Sequence, residues 1–180
     1  LKTKTAKSEA ADGGPVTRFE YWDDGLEKRR TEAEGTADQR IIYTEWDHDL
    51  AMPTLERLEG VRQVETVYHD NGRVAVKTVT DLTAHQQPYV THGRSRTWSY
   101  SYTWFDPGIN SKLESIIIDG PLAGLEDVSR QYYSTHGYLE KTENALGHVT
   151  EVLAHDGAGR PKQIRNENGS LTTLSYHPRG

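Results

Sequence analysis

The chain has 180 residues, with 21 basic and 27 acidic side chains, a net charge of −6, and no cysteine. That balance disfavours a nucleic-acid binder, which needs a basic footprint against phosphates. The missing thiols exclude disulfide frameworks and thiolate metal sites. No stretch approaches 18 apolar residues, so no membrane span and no signal peptide is expected, and the start at Leu1 reads as a cut within a longer polypeptide. Only 34% of residues are hydrophobic while 9% are aromatic, which predicts a thin sheet with at least one wet face rather than a thick core.

The first fifteen residues, through Pro15, are polar and read as a linking or frayed segment. From residue 16 to residue 180 a ladder begins, in which an aromatic is followed four residues later by glycine. Tyr21 pairs in this way with Gly25, Tyr68 with Gly72, Trp104 with Gly108, Tyr133 with Gly137 and Tyr176 with Gly180. His155 with Gly159 fills the same slot, and Tyr43 begins a further unit with Asp47 where glycine would stand. Tyr21 to Tyr43 and Tyr133 to His155 are each 22 residues, and His155 to Tyr176 is 21. A second glycine follows the first by ten residues at Gly35, Gly147 and Gly169, while the middle of the chain is looser, with gaps of 25, 36 and 29.

Such a period is two short strands and two turns. A strand ends at the aromatic, and a polar tetrad closing on glycine reverses the chain, because glycine accepts a positive φ without a Cβ clash. Strands are predicted over Val61–Tyr68, Arg73–Thr80, Arg94–Phe105, Leu113–Asp119 and Leu171–Tyr176, with hairpin dipeptides at Asn71-Gly72 and Asn168-Gly169. Leu50–Glu59 has a weak helical pattern that Pro53 undercuts. Leu82–Gly93 lacks alternation and reads as an excursion between two strands.

Several segments resemble the core of bacterial Rhs, or YD-repeat, proteins: RTWSYSYTW at Arg96–Trp104, IDGP at Ile118–Pro121, NALGHVT at Asn144–Thr150, HDGAGRP at His155–Pro161, NENG at Asn166–Gly169 and LTTLSYHPRG at Leu171–Gly180. The family repeat has the form Tyr-Asp-x-x-Gly-Arg. Here Tyr68–Arg73 shifts the Asp by one, His155-Asp156 through Gly159-Arg160 replaces the Tyr, and Tyr133–Tyr138 replaces the Asp and the Arg. The resemblance spans roughly Thr17 to Gly180 and is densest after Arg94.

What it implies is an all-β fold, a long curved antiparallel sheet of successive hairpins that forms part of a spiral shell. In complete Rhs and Tc-toxin proteins such a shell closes around a C-terminal toxin domain. The resemblance therefore implies a wall segment of a secreted or delivered bacterial effector, of the type VI kind. Its partners would be the rest of the shell, the enclosed toxin and secretion-apparatus proteins. The family's DPxGxxGG-like self-cleavage segment is not in this sequence; Asp106-Pro107-Gly108 is a superficial echo.

Catalytic residues, metal ligands and cofactors are not expected. The histidines follow the repeat: His155 takes the aromatic slot, His69 and His177 come one residue after it, and His136 precedes a turn glycine. No HExxH or paired spacing appears. Asp23-Asp24 and Asp47-His48-Asp49 lack the DxDxDG calcium pattern and read as turn carboxylates. Trp98, Tyr100, Tyr102 and Trp104 alternate along one strand and read as cross-strand packing, with a sugar-stacking platform as the alternative. That alternative belongs to a rival function, an extracellular adhesion module at a cell surface binding glycans or proteins. Unpaired sheet edges favour self-association of the isolated chain.

Overall fold

The computed structural model describes residues 2–7, 14–106, 108, 111–124 and 126–177. Gly180, the closing glycine of the Tyr176 pair, and Pro107 lie outside the described residues, and so do most of residues 8–15. All regular structure among the described residues is strand: β1 (Lys2–Lys7), β2 (Val16–Tyr21), β3 (Glu27–Glu32), β4 (Arg40–Asp47), β5 (Met52–Leu58), β6 (Arg62–Tyr68), β7 (Val74–Asp81), β8 (Ser95–Trp104), β9 (Leu113–Asp119), β10 (Ser129–Tyr133), β11 (Leu139–Glu143), β12 (Val149–His155), β13 (Pro161–Arg165) and β14 (Leu171–Thr173). The fold is all-β and antiparallel, built of successive hairpins.

The chain divides within β8, between Thr97 and Trp98, into two units. In each unit, strands adjacent in sequence are adjacent in the sheet. This simplest topology suits a chain in which a reversing turn follows nearly every strand, because short connections pair neighbours.

In the first unit, two segments differ from expectation. Lys2–Lys7 pairs along its whole length with β2, Lys2 opposite Tyr21 and Lys7 opposite Val16, where a frayed linker is predicted from polarity. Sheet pairing is made by backbone groups and needs no apolar side chain. Met52–Leu58 is a strand throughout, with Leu55 opposite Glu45 on one side and Glu65 on the other. Its proline sits opposite Trp46 at a register shift, where a missing N–H is tolerated.

Little of the molecule is interior. Ile42 and Val128 are the buried apolar side chains among the described residues, at 8% and 3% exposure, joined by buried Thr31, Thr44 and Ser115. Lateral cohesion in the first unit comes instead from polar ladders. Glu20 lies opposite Arg29 and Arg29 opposite Tyr43, and Tyr43 lies opposite Arg57. Arg29 reaches Glu20 at 3.1 Å, and the Arg29 and Arg57 guanidiniums stand 5.6 and 4.8 Å from the Tyr43 ring centre. In the second unit Arg130 lies opposite Glu143 and Arg165 opposite Glu151, each forming an ion pair. Each such pair contributes about 1 kcal/mol or less, so sheet stability rests on many small terms.

Candidate functional site

The chemistry-bearing residues of this chain gather at its turns, and one hydrogen-bond pattern recurs there. In the turn Asp156–Arg160, the Asp156 N–H donates to the Arg160 carbonyl at 2.9 Å and the Gly159 N–H donates to the Asp156 carbonyl at 3.0 Å. The same two bonds close the turns beginning at Trp22, His69, Ser134, Asn144 and Asn166. The fourth residue is always glycine in the left-handed region, as at Gly72 with φ 77° and Gly159 with φ 78°. Each of the six turns begins at the residue after a strand ends, the strands being β2, β6, β10, β11, β12 and β13. The aromatic-led turn and the intervening turn, which the sequence presents as two different marks, are therefore one device.

The side chain of the first turn residue caps it. Asp156 Oδ1 accepts from the Ala158 and Arg160 N–H groups, both at 2.9 Å. Asn144 Oδ1 accepts from Leu146 and His148, Asn166 Oδ1 from Asn168 and Ser170, and Ser134 Oγ from His136 and Tyr138. This is the physical content of the Asp in the repeat, and the amide or hydroxyl substitutes for it because only an acceptor oxygen is required. The Arg160 N–H donated to Asp156, with burial opposing, holds its carboxyl below the ordinary value.

The aromatic that precedes the turn is stitched backwards to the previous unit. Tyr176 Oη donates to the Pro161 carbonyl at 2.7 Å, Tyr68 Oη to Pro53 at 2.8 Å, and His155 Nε2 to Leu139 at 3.0 Å. In each case the acceptor is the first or second residue of the strand leaving the preceding turn. Burial raises the Tyr68 phenol above its usual value. The ring also packs on the residue just after the previous turn glycine: the Arg160 guanidinium lies 4.3 Å from the Tyr176 ring centre, and Tyr138 lies 5.2 Å from His155. Asp156 fixes that guanidinium through a 2.7 Å bond from Arg160 Nε. Gly159 is doubly constrained, since a Cβ there would meet Tyr138 Cε1 at 2.5 Å.

Two signature positions stand elsewhere. Tyr43 lies in mid-strand between two arginines, and the residue that makes the stitch is Trp46, whose Nε1 donates to the Glu27 carbonyl at 2.6 Å. Asp47 follows it as the cap, accepting from the Asp49 and Leu50 N–H groups at 3.0 Å. The left-handed residue of that turn is Ala51, with φ 53°, so no glycine marks it. Gly108 has no left-handed φ. It lies in a wider connection in which the Phe105 N–H donates to the Lys112 carbonyl and the Ser111 N–H to the Gly108 carbonyl, both at 3.1 Å. Tyr133 keeps its place at the end of β10, but its Oη donates to Gln131 within the same strand. Gly35 and Gly25 are left-handed, and the Gly35 N–H donates to the Gln39 side chain.

Of the acidic clusters, the structure joins one member of each: Asp24 Oδ2 meets His48 Nδ1, and the His48 ring stands edge-on to Trp22 at 5.5 Å. The His48 contact, foremost, holds the Asp24 carboxyl down. Among the described residues no three His or acidic side chains are placed to hold a metal ion.

Three surfaces remain. Trp98, Tyr100, Tyr102 and Trp104 occupy one face of β8, all half-buried, with Tyr100, Tyr102 and Trp104 opposite Ile118, Ile116 and Leu113. An open groove of about 610 Å³ on the first unit is lined by Glu45, Asp47, Glu65 and Asp70 over Leu55 and Val67. A second groove on the same unit, of about 600 Å³, lies where the 82–94 excursion leaves and rejoins the strands, and it collects Arg62, Arg94 and Arg96. Nothing in the sequence marks that convergence, because the three arginines come from β6, the excursion and β8.

No protein-family model matches the chain, and no curated protein sequence matches it. Solved structures do. A crystal structure of TcdB2-TccC3-TEV matches at 12% identity and a TM-score of 0.27, over 92% of this chain and 13% of that one. The Photorhabdus luminescens Tc holotoxin pore with a mutated TccC3 matches at 11% identity and a TM-score of 0.24, over 90% and 12%. TcdB2-TccC3-Cdc42 matches at 11% identity and a TM-score of 0.19, over 91% and 14%. The chain thus spans about one eighth of the length of the structures it is similar to.

Proposed function

We propose that this chain is a length of wall in an Rhs-type shell, and that it acts by containment: the wall encloses a toxin domain of the same polypeptide and carries no catalytic group of its own. The observation that carries this reading is the repeated stitch. Asp156, Arg160, His155 and Tyr176, the residues whose chemistry invites a catalytic role, are each committed to a backbone group or to one another. A general acid or base needs a free proton-transfer position facing a substrate, whereas a wall needs every unit tied to the one before it.

The test uses the native polypeptide in which this segment occurs. Limited proteolysis should leave the downstream domain intact until the wall is breached, and electron microscopy should show a closed hollow particle. A downstream domain cleaved at the rate of an unstructured tail would overturn the reading. The same reading has the lumen offer the toxin no strong apolar seat, so this chain mixed with the isolated downstream domain should bind it only weakly.

One observation favours a second reading, an adhesion module that contacts glycans: four aromatics share one half-exposed face of β8. A glycan array discriminates. A hit that disappears in Trp98→Ala and Trp104→Ala supports the adhesion reading, and a blank array supports the wall.

A further inference from the structure

We propose that the groove at the neck of the 82–94 excursion binds a tetrahedral oxyanion, a phosphate or sulfate ester carried on a larger molecule. The groove is independent of the stitched turns. It is lined by Arg62, Arg94 and Arg96, with the hydroxyl-bearing Thr83 and Thr91 and the ring of Tyr89. Three arginines line one recess with a single carboxylate, Asp81, which reverses the balance of a chain whose net charge is −6.

The single carboxylate of the lining is already satisfied. Asp81 Oδ1 accepts from the Thr83 N–H at 2.7 Å and the Thr83 hydroxyl at 2.6 Å. Those donors, with Thr91, stabilise its charge, so it is held by neutral groups rather than by the arginines. The guanidiniums have correspondingly little to do. Arg62 approaches Glu56 only to 3.7 Å, long for a charge-assisted hydrogen bond. Arg94 stands 6.0 Å from the Tyr89 ring centre. Arg96 has no ion-pair partner among the described residues.

Their positions are set by backbone. The Asp81 N–H donates to the Arg94 carbonyl at 3.0 Å and the Gly93 N–H to the Asp81 carbonyl at 2.8 Å, which closes the neck of the excursion. Arg62 lies directly opposite Asp81 in the pairing of β6 with β7. Arg96 follows two residues after Arg94, at the start of β8. Guanidinium is planar, permanently charged and forked to match oxyanions bidentately. Three forks call for more acceptor oxygens than one carboxylate has, and a phosphate or sulfate ester presents three. Tyr89, 62% exposed beside Arg94, offers a flat surface for the body of the ligand.

Calorimetry on the whole chain at low salt, with three probes, tests the site: inositol hexakisphosphate, a fully sulfated heparin-derived tetrasaccharide, and that tetrasaccharide desulfated. Both charged probes are expected to bind, the tighter one assigning the ester, and added salt should weaken them because the groove is open. Arg96→Gln should lower affinity by about tenfold, the worth of one charge-assisted bond, and Arg94→Gln with Arg96→Gln should abolish binding. Arg40→Gln, at an exposed arginine outside the groove, should leave it unchanged. All of these side chains are exposed, and an unchanged far-ultraviolet circular dichroism spectrum keeps the variants interpretable. Failure of both charged probes to bind, equal binding of the desulfated sugar, or undiminished affinity in the double variant would each overturn the proposal.

Discussion

The glycine turns that begin at Trp22 and His69 in the first unit and the four of the second share one backbone and differ in where the cap sits. At residues 134, 144, 156 and 166 the first turn residue caps, and its oxygen takes two N–H groups. In the turns that begin at Trp22 and His69 the cap has moved to the third residue: Asp24 accepts from Leu26 and Asn71 from Arg73, each at 3.1 Å. The exchange gives up one bond and releases the first position for a large side chain. Trp22 uses that freedom, with Lys28 Nζ 4.2 Å from its ring centre and His48 on its edge. What these six turns hold in common is therefore the left-handed fourth residue, and the cap is negotiable.

The sharpest way to break this comparison is at the glycines. Gly159→Ala meets both a left-handed φ and the Tyr138 ring and should cost about 3 kcal/mol, whereas Gly147→Ala, with the same φ and open space around it, should cost about 1 kcal/mol. Chemical denaturation measures both, and equal losses would show that the Tyr138 contact contributes nothing. Next come the caps. Asn166→Ala removes two bonds and should cost about 1.5 kcal/mol; Asn71→Ala removes one and should cost about half of that.

Where the cap is a carboxylate, the comparison gains a pH signature. The folded Asp156 pKa lies below its ordinary 3.8. Its contribution is therefore complete above the unfolded value and is lost as pH falls through the lower, folded one. Asp156→Asn keeps an acceptor oxygen, so acid titrations of stability should flatten below pH 4 in that variant and remain steep in the parent chain.

Smaller effects sharpen the stitch. Tyr176→Phe deletes the donor to the Pro161 carbonyl but keeps the ring beneath Arg160, and should cost about 1 kcal/mol by the same denaturation assay. Ala51→Gly is the smallest and has the opposite sign. It relieves a left-handed alanine at φ 53° and should stabilise by about 0.5 kcal/mol, the relief being partly offset by the chain entropy glycine brings. A loss on that substitution would mean that the Ala51 methyl packs usefully.

The all-β fold, the strands β6 to β9 and the excursion, expected over Leu82–Gly93 and extended by one residue to Arg94, are legible in the sequence because chirality favours glycine where φ is positive, and alternation fills what lies between. The same reasoning slips where another residue takes the glycine's place. With Ala51 in the left-handed position, nothing punctuates the 47–52 turn, and Tyr43 attracts the repeat that Trp46 and Asp47 in fact carry. A signal was present: Trp46 and Asp47 form the aromatic-Asp pair, and Trp46 stands 22 residues before Tyr68. Strand β1 is illegible for another reason, since its pairing draws on backbone alone. The stitches and the arginine groove join positions far apart in sequence, and no local pattern encodes them.

The scarcity of buried hydrocarbon has a thermal consequence. Exposing apolar surface raises the heat capacity of unfolding and exposing polar surface lowers it, so a sheet in which Ile42 and Val128 are the buried apolar side chains among the described residues gains less than the usual increment of about 12–15 cal/mol/K per residue. Its unfolding enthalpy then varies only gently with temperature, and its stability curve is a low, flat arch rather than a steep dome. Such a fold draws little on a driving force that fades in the cold, and resists chilling better than a fat-cored protein of equal stability.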